Sequence, residues 1–188
     1  NFLSASGGYD IGTSTGKGKI QVDLTWNPKD KIEFGQTYAV MSYGITDRLD
    51  IHSYLAHHTE GFETWYAGVF YQFLGQKRLD LATAVGIRKR FDQNWTHLFF
   101  PQLLYTIHFS EKIYFGGSLV NVINDKFWKR VGSLGVTVDF AIFFKLPYHS
   151  KWIENVAVGF GGFHPVTHEP NNYFLPTYSV DILFRKLI

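Results

Sequence analysis

The chain has 188 residues, a formal net charge of +2 and no cysteine, and aromatic and charged residues each make up 18% of it. The small net charge gives no electrostatic basis for binding nucleic acid, and a chain without cysteine has no disulfide, thiol nucleophile or thiolate metal site. Abundant glycine and aromatic residues together with few charges are typical of an all-β protein.

The first 16 residues (NFLSASGGYDIGTSTG) are rich in Gly, Ser and Thr, and we predict that they form an N-terminal lead-in or plug segment. The chain opens at Asn1 without a charged leader, which we interpret as a mature chain after removal of a signal peptide. A trimmed sequence would begin in the same way. The longest uninterrupted apolar stretch, residues 140–144, is too short for a transmembrane helix, so a membrane location has to rest on strands.

Residues 17–188 are predicted to form one barrel domain, because alternation of apolar and polar residues begins at residue 19 and continues to the end. Its first strand, residues 19–26, places four apolar side chains on one face and four polar ones on the other. Nine more strands are predicted at 33–45, 49–58, 63–74, 79–90, 98–109, 113–123, 131–145, 153–163 and 173–185. Throughout, one face is bulky and apolar and the other is small or polar. Pro101 and Pro176 fall inside predicted strands, where pairing is expected to begin only after the proline.

The predicted connections differ in length at the two ends of these strands. Three of them are tight, at residues 46–48, 75–78 and 110–112, and those at the opposite end are mostly longer and more polar. Outer-membrane barrels combine short periplasmic turns with longer extracellular loops. The fold class predicted is therefore a closed antiparallel transmembrane β-barrel of about ten strands, with eight or twelve also compatible.

Large aromatic residues cluster near the predicted strand ends, where we expect them to lie at the membrane interface. These residues are Trp26, Tyr43, Trp65, Trp95, Trp128 and Trp152. The alternative is that the tryptophans simply pack at the bases of loops.

Two stretches of the sequence, GTSTGKGKIQVD (residues 12–23) and YAVMSYGITDRLD (residues 38–50), resemble the meta-pathway phenol-degradation family of outer-membrane barrels. Members typically open with a GTxxGKGK-like segment before the first strand and then carry an SYGxTDxLD-like hairpin. The match extends over roughly residues 12–52. The resemblance implies a barrel fold, an outer-membrane location and passage of small, often aromatic, compounds, and it supplies no catalytic residues.

Charged residues in the polar phase of the strands are expected to line the lumen. The candidates are Asp23, Asp50, His52, Asp80, Arg88, Arg90, Asp139 and Asp181. Charges in a narrow lumen require pairing or water, so they either form an ion-pair network that fills the lumen or a selective constriction for a small solute. Catalysis is the third alternative.

The sequence carries no clear metal or catalytic pattern. His57 and His58 are adjacent and point to opposite faces of a strand, while His164, His168 and Glu169 could converge in a loop but lack a third placed ligand. His52 and Ser53 also face opposite ways, and no Gly-x-Ser-x-Gly elbow occurs. We therefore predict a protein that is not an enzyme and that uses no metal and no cofactor.

The function predicted is a passive pore or binding barrel for small molecules, aromatic or hydrophobic ones included, in the outer membrane of a Gram-negative bacterium. The expected partners are outer-membrane lipid and lipopolysaccharide, a small-molecule solute and proteins of a larger envelope complex. One alternative is a scaffold barrel with a plugged lumen that docks a partner complex. Another is a soluble lipid-binding barrel of lipocalin type, which would place the bulky face inside.

Overall fold

The structure is a computed structural model that describes residues 11–26, 36–58, 61, 63–91, 98–99, 101–124, 133–148, 150–165 and 175–186. The strands of these residues are β1 (Ile20–Trp26), β2 (Gln36–Gly44), β3 (Leu49–His58), β4 (Glu63–Gly75), β5 (Leu79–Arg90), β6 (Leu98–Phe99), β7 (Gln102–His108), β8 (Ile113–Asn124), β9 (Ser133–Lys145), β10 (Ile153–Pro165) and β11 (Leu175–Phe184). No helix of the described residues is long and apolar enough to cross a membrane.

The strands form a closed antiparallel barrel. Neighbours along the chain pair with each other, and β1 pairs with β11 from Ile20 opposite Phe184 to Trp26 opposite Tyr178. The short β6 and the longer β7 share one position between β5 and β8. The described strands therefore occupy ten positions around the ring, which confirms the predicted all-β barrel and its strand count.

The two prolines inside predicted strands differ in their effect on strand pairing. Pro101 separates β6 from β7, and pairing with β5 exists on both sides of it, at Leu98–Phe99 and again from Gln102. Pro176 pairs with β10, while the ladder with β1 starts only at Tyr178. Because proline has no N–H, the ladder with β5 is interrupted at Pro101, but the ladder with β10 continues through Pro176 to Leu175. The prediction that pairing begins only after each proline is therefore wrong for these two ladders.

The connections at one end of the barrel, which we name the turn end, have three to seven residues, and those at the loop end have four to nine. Hydroxyl side chains close two of the tight turns. Thr46 Oγ1 accepts a hydrogen bond from Leu49 N at 2.9 Å, and Ser110 Oγ accepts one from Ile113 N at 3.1 Å. Such local bonds favour a turn over continued pairing. The predicted difference between short turns and longer loops is therefore present.

The barrel is apolar outside and polar inside. Leu55, 62% exposed, points outward from β3, whereas its neighbours Tyr54 and Ala56 are buried. Exposed large side chains recur on the outer face of the other strands, for example at Leu24, Met41, Ile51, Val69, Tyr71, Val85, Ile87, Leu103, Leu119, Phe160 and Val180. Buried polar residues include Asp50, His52, Gln102, Thr106, Ser118 and Asp181. This is the reverse of the lipocalin arrangement, in which the bulky face lies inside.

The inner face also carries large aromatic side chains, which the sequence pattern did not predict. One buried cluster contains Tyr38, Tyr54 and Tyr66, and another contains Phe70, Tyr114 and Phe143. Glycines of neighbouring strands make room for two of these rings: a side chain at Gly86 would collide with Tyr66, and one at Gly159 would collide with Phe143. Each of the two clusters therefore fills part of the lumen with rings, and in each cluster one ring lies against a glycine of a neighbouring strand.

Candidate functional site: the lumen

An aromatic wall, formed by Tyr54 and Tyr66 with His52 beside them, covers part of the inner face of β3 and β4. The rings of Tyr54 and Tyr66 stack with centroids 5.1 Å apart. The His52 ring also stacks on Tyr66, with the same distance between centroids. Tyr66 Oη also lies 3.0 Å from His52 Nε2 and accepts a hydrogen bond from Gln102 Nε2 at 3.4 Å. These residues share a face because residues two apart along a strand point the same way.

Arg88 lies beside this wall on the inner face of β5. Its side chain is 4% exposed, and its backbone is paired with that of Tyr66. Arg90, the last residue of β5, is half-buried. The predicted arginines therefore both lie toward the loop end, and Arg88 is the more deeply enclosed of the two.

Carboxylates occupy a different part of the lumen. Asp23 and Asp181 are register partners on β1 and β11, and both are buried. Asp23 accepts a hydrogen bond from Thr25 Oγ1 at 2.7 Å, and Asp181 accepts one from Tyr114 Oη at 3.4 Å. Asp139 on β9, half-exposed as a whole residue, accepts bonds from the backbone N–H and the hydroxyl of Ser118 at 2.6 and 2.5 Å. β5 lies on the opposite side of the ring from β11, so Arg88 and Asp181 lie on opposite sides of the lumen.

Asp50 and Asp80 both accept hydrogen bonds from the start of the chain. Asp50 Oδ2 accepts a hydrogen bond from Thr15 N at 2.7 Å. Asp80 Oδ2 accepts one from Thr13 Oγ1 at 2.6 Å and lies 2.8 Å from His108 Nε2. Both aspartates are buried close to the turn end of their strands.

The N-terminal segment, residues 11–18, runs along the inner wall at the turn end and meets one strand after another. The N–H of Gly18 donates to Gly44 O of β2 at 2.8 Å, and Thr15 meets β3 as described above. Ser14 N donates to Gln72 Oε1 of β4 at 2.9 Å, and Thr13 meets β5. Gly12 N donates to Thr106 Oγ1 of β7 at 2.9 Å, and Ile11 packs against Gly116 of β8.

A cavity of about 100 Å³ lies between this segment and the remaining part of the wall. Ile11, Thr13 and Ser14 line it on one side. Side chains of β1 and of β7 to β11 line the other side, among them Tyr114, Lys145 and Asp181. Lys145 Nζ lies 5.7 Å from the centre of the Tyr114 ring. At the turn end, the N-terminal segment thus fills one half of the lumen, and the cavity lies in the other half.

The aromatic residues predicted for the membrane interface are outward where the structure describes them. Trp26, Tyr43 and Trp152 are exposed and Trp65 is half-exposed, each close to the end of a strand or just outside it. Trp95 and Trp128 lie outside the described residues. Trp26 and Tyr178 of the neighbouring strand have ring centroids 6.0 Å apart.

The described residues contain no group of three or more His, Asp or Glu side chains that could hold a metal ion. His57 Nδ1 lies 3.9 Å from Glu63 Oε1 on the exposed rim. The side chains of His58 and His164, and all of His168 and Glu169, fall outside the part of the chain that the structure describes.

A closed barrel with an apolar exterior and a charged interior defines a transmembrane β-barrel of the outer-membrane type. The chain is similar in fold to KdgM porin, with a TM-score of 0.55 and 7% identity, over 89% of this chain and 98% of that one. The same values hold for the structure of KdgM porin in complex with disordered oligogalacturonate. At this identity the similarity concerns the fold alone. No family model and no curated protein matches the chain, so the similarity of residues 12–52 to the phenol-degradation family remains a resemblance.

The charged residues predicted to line the lumen share their strand phase with inward rings that sequence reasoning missed. Tyr54 is two residues beyond His52, so the two-residue period that places Asp50 and His52 on the inner face also places Tyr54 there. Phe70 and Phe143 were missed because an apolar residue in the polar phase was not expected in a lumen. No sequence signal links Thr13 with Asp80, since that contact depends on how the segment enters the barrel.

Proposed function

We propose that this chain is an outer-membrane barrel of a Gram-negative bacterium that passes or binds small molecules through its lumen, without catalysis. The observation that carries the proposal is the row of buried charged side chains along a barrel whose exterior is apolar. Burying a charge is costly unless it is paired or solvated. A barrel that served only as a membrane anchor could fill its interior with apolar side chains and avoid that cost.

For the solute we propose small compounds that combine an aromatic ring with a polar or anionic substituent. Supporting this are the stacked rings of Tyr54 and Tyr66 in the lumen wall, which show that this part of the lumen accommodates aromatic stacking, and the guanidinium of Arg88 beside them. The resemblance of residues 12–52 to a family linked with phenol degradation points to the same class. A porin of the same fold binds oligogalacturonate, which supports a lumen able to accept a small-molecule solute.

The solute has to be small because a ten-stranded barrel is little wider than an eight-stranded one, whose interior side chains just fill it. Two inward clusters already occupy the lumen, and Phe70 is fully buried within one of them. We therefore expect slow passage of single-ring compounds and exclusion of oligosaccharides.

Solute entry into liposomes reconstituted with the purified barrel tests this function. We expect phenol or benzoate to enter faster than into protein-free liposomes, and a trisaccharide to enter at the protein-free rate. Equal rates with and without protein for every solute would contradict the proposal.

A second candidate function is a scaffold barrel that docks a partner protein complex. The specific observation in its favour is that the N-terminal segment and the inward rings fill much of the lumen, with a cavity of about 100 Å³ beside the segment. The two functions differ in one outcome: a scaffold stays impermeable even when the N-terminal segment is displaced, whereas a pore does not.

A further inference from the structure

We propose that residues 11–15 are a hinged plug that narrows the lumen at the turn end, on the side of β3 to β8, and leaves it as a unit to open a wider path. The inference rests on the proposed function, because narrowing a lumen matters only where something passes through it. Displacement of the plug can nevertheless be measured separately from passage of a solute.

The wall offers this plug a fitted seat. Two buried carboxylates, Asp50 and Asp80, accept bonds from a backbone N–H and a hydroxyl of the plug, at 2.7 and 2.6 Å. Charge-assisted hydrogen bonds of this kind are stronger than neutral ones. Each bond reaches a different strand, so the plug is held along a row of contacts from β3 to β8.

Gly12 shows how closely the plug approaches the wall. A Cβ atom at this position would lie 2.8 Å from Tyr105 Cα, 2.9 Å from Asp80 O and 3.0 Å from Leu104 O. All three are backbone or Cα atoms of the barrel, which cannot move aside. While the plug lies against the wall, position 12 therefore accepts glycine and no larger residue.

Two glycines at the base of the plug supply a hinge. Gly16 and Gly18 have φ angles of 88° and 75°, in the left-handed region that glycine adopts at little cost. Beyond them, Lys19 pairs with Glu154 at 2.8 Å and anchors the chain at the start of β1. The cavity of about 100 Å³ beside Ile11 and Thr13 gives the plug space to move.

Three variants test the plug in a background carrying Ala157→Cys. Ala157 is a fully buried inward residue in the cluster that contains Ile11, and the chain has no other cysteine. Gly12→Ala prevents seating by steric clash. The double variant Thr13→Val with Thr15→Pro removes the hydroxyl bond to Asp80 and the N–H bond to Asp50. Lys17→Ala is the matched control, because its exposed side chain is replaced while its backbone is kept.

The readout is the rate at which a small water-soluble methanethiosulfonate labels the cysteine in the folded, reconstituted barrel. Loss of two hydrogen bonds increases the open population, so we expect labelling to be about tenfold faster or more in the double variant. Gly12→Ala is expected to act at least as strongly, and Lys17→Ala to label like the parent. Heat-modifiable electrophoretic mobility confirms that each barrel is folded.

Equal labelling rates in the parent, Gly12→Ala and the double variant would contradict the proposal that residues 11–15 act as a plug. Solute entry into liposomes, measured on the same samples, separates this inference from the proposed function. Faster labelling accompanied by faster entry of phenol supports both. Faster labelling with no entry in any variant supports the plug and rules out the pore.

Discussion

Arg88 places a positive charge inside the lumen. Its side chain is almost completely enclosed, next to the aromatic wall formed by Tyr54 and Tyr66. The interior of a ten-stranded barrel is small, so we expect a permeating ion to pass within a Debye length of about 8 Å of this charge at physiological salt. A single side chain of this kind is therefore able to determine charge selectivity.

We predict that Arg88→Ala shifts the selectivity of the reconstituted barrel toward cations. A unit charge at about 4 Å contributes about 1 kcal/mol even at the dielectric constant of water, which corresponds to about a fivefold change in the permeability ratio. The measurement is the reversal potential under a salt gradient, taken in the Gly12→Ala background so that the plug does not limit the current.

Lys89→Ala is the control for this change, because Lys89 neighbours Arg88 on the same strand and points to the other face. A reversal potential that is the same for Arg88→Ala and Lys89→Ala would show that Arg88 does not act on permeating ions.

At the scale of single elements, the strands differ in how well the sequence defines them. The bounds predicted for β5, 79–90, are those observed, because uninterrupted alternation begins after a tight turn there. The predicted sixth strand, 98–109, is divided into β6 and β7 at Pro101. The two inward clusters could not be predicted, because alternation identifies a face but not which rings fit against glycines on neighbouring strands.

Substitutions on the outer face of the barrel test which part of a strand lies at the middle of the membrane. We predict that Val85→Arg, in the middle of the strand, lowers the free energy of unfolding by about 2–4 kcal/mol, because an arginine at the bilayer midplane is costly. Tyr43→Arg, next to a tight turn, is expected to cost only about 0–1 kcal/mol. Urea-induced unfolding of the barrel in lipid bilayers measures both changes.

Similar losses of stability at the two positions would contradict this depth dependence. The comparison is matched, since Val85 and Tyr43 are both outward and similarly exposed, at 40% and 45%. The difference between them is then due to their position along the strand.

At the scale of the whole molecule, the two ends of the barrel imply an orientation. Connections at the turn end are short and those at the loop end are mostly longer, as in barrels whose turns face the periplasm. The N-terminal segment enters at the turn end, so we propose that its plug faces the periplasm too.

We predict that a cysteine at the loop end is labelled on intact cells and one at the turn end is not. Glu63→Cys and Lys77→Cys suit this test, because both residues are exposed and each marks one end of β4. A membrane-impermeant maleimide should label Glu63→Cys alone, and both variants should react after the outer membrane is permeabilised. Labelling of Lys77→Cys alone on intact cells would reverse the orientation.

The way the N-terminal segment touches successive strands also has a consequence for assembly. Its contacts join residues 35 positions apart at Thr15 and Asp50 and 94 positions apart at Gly12 and Thr106. Contacts between such distant parts of a chain form late, because the intervening loop must first be closed. The ladder that closes the barrel joins residues still further apart, 164 positions at Ile20 and Phe184. We therefore expect residues 12–15 to reach their partners on β3 to β7 before β1 and β11 pair, so that the barrel closes around a segment already in place.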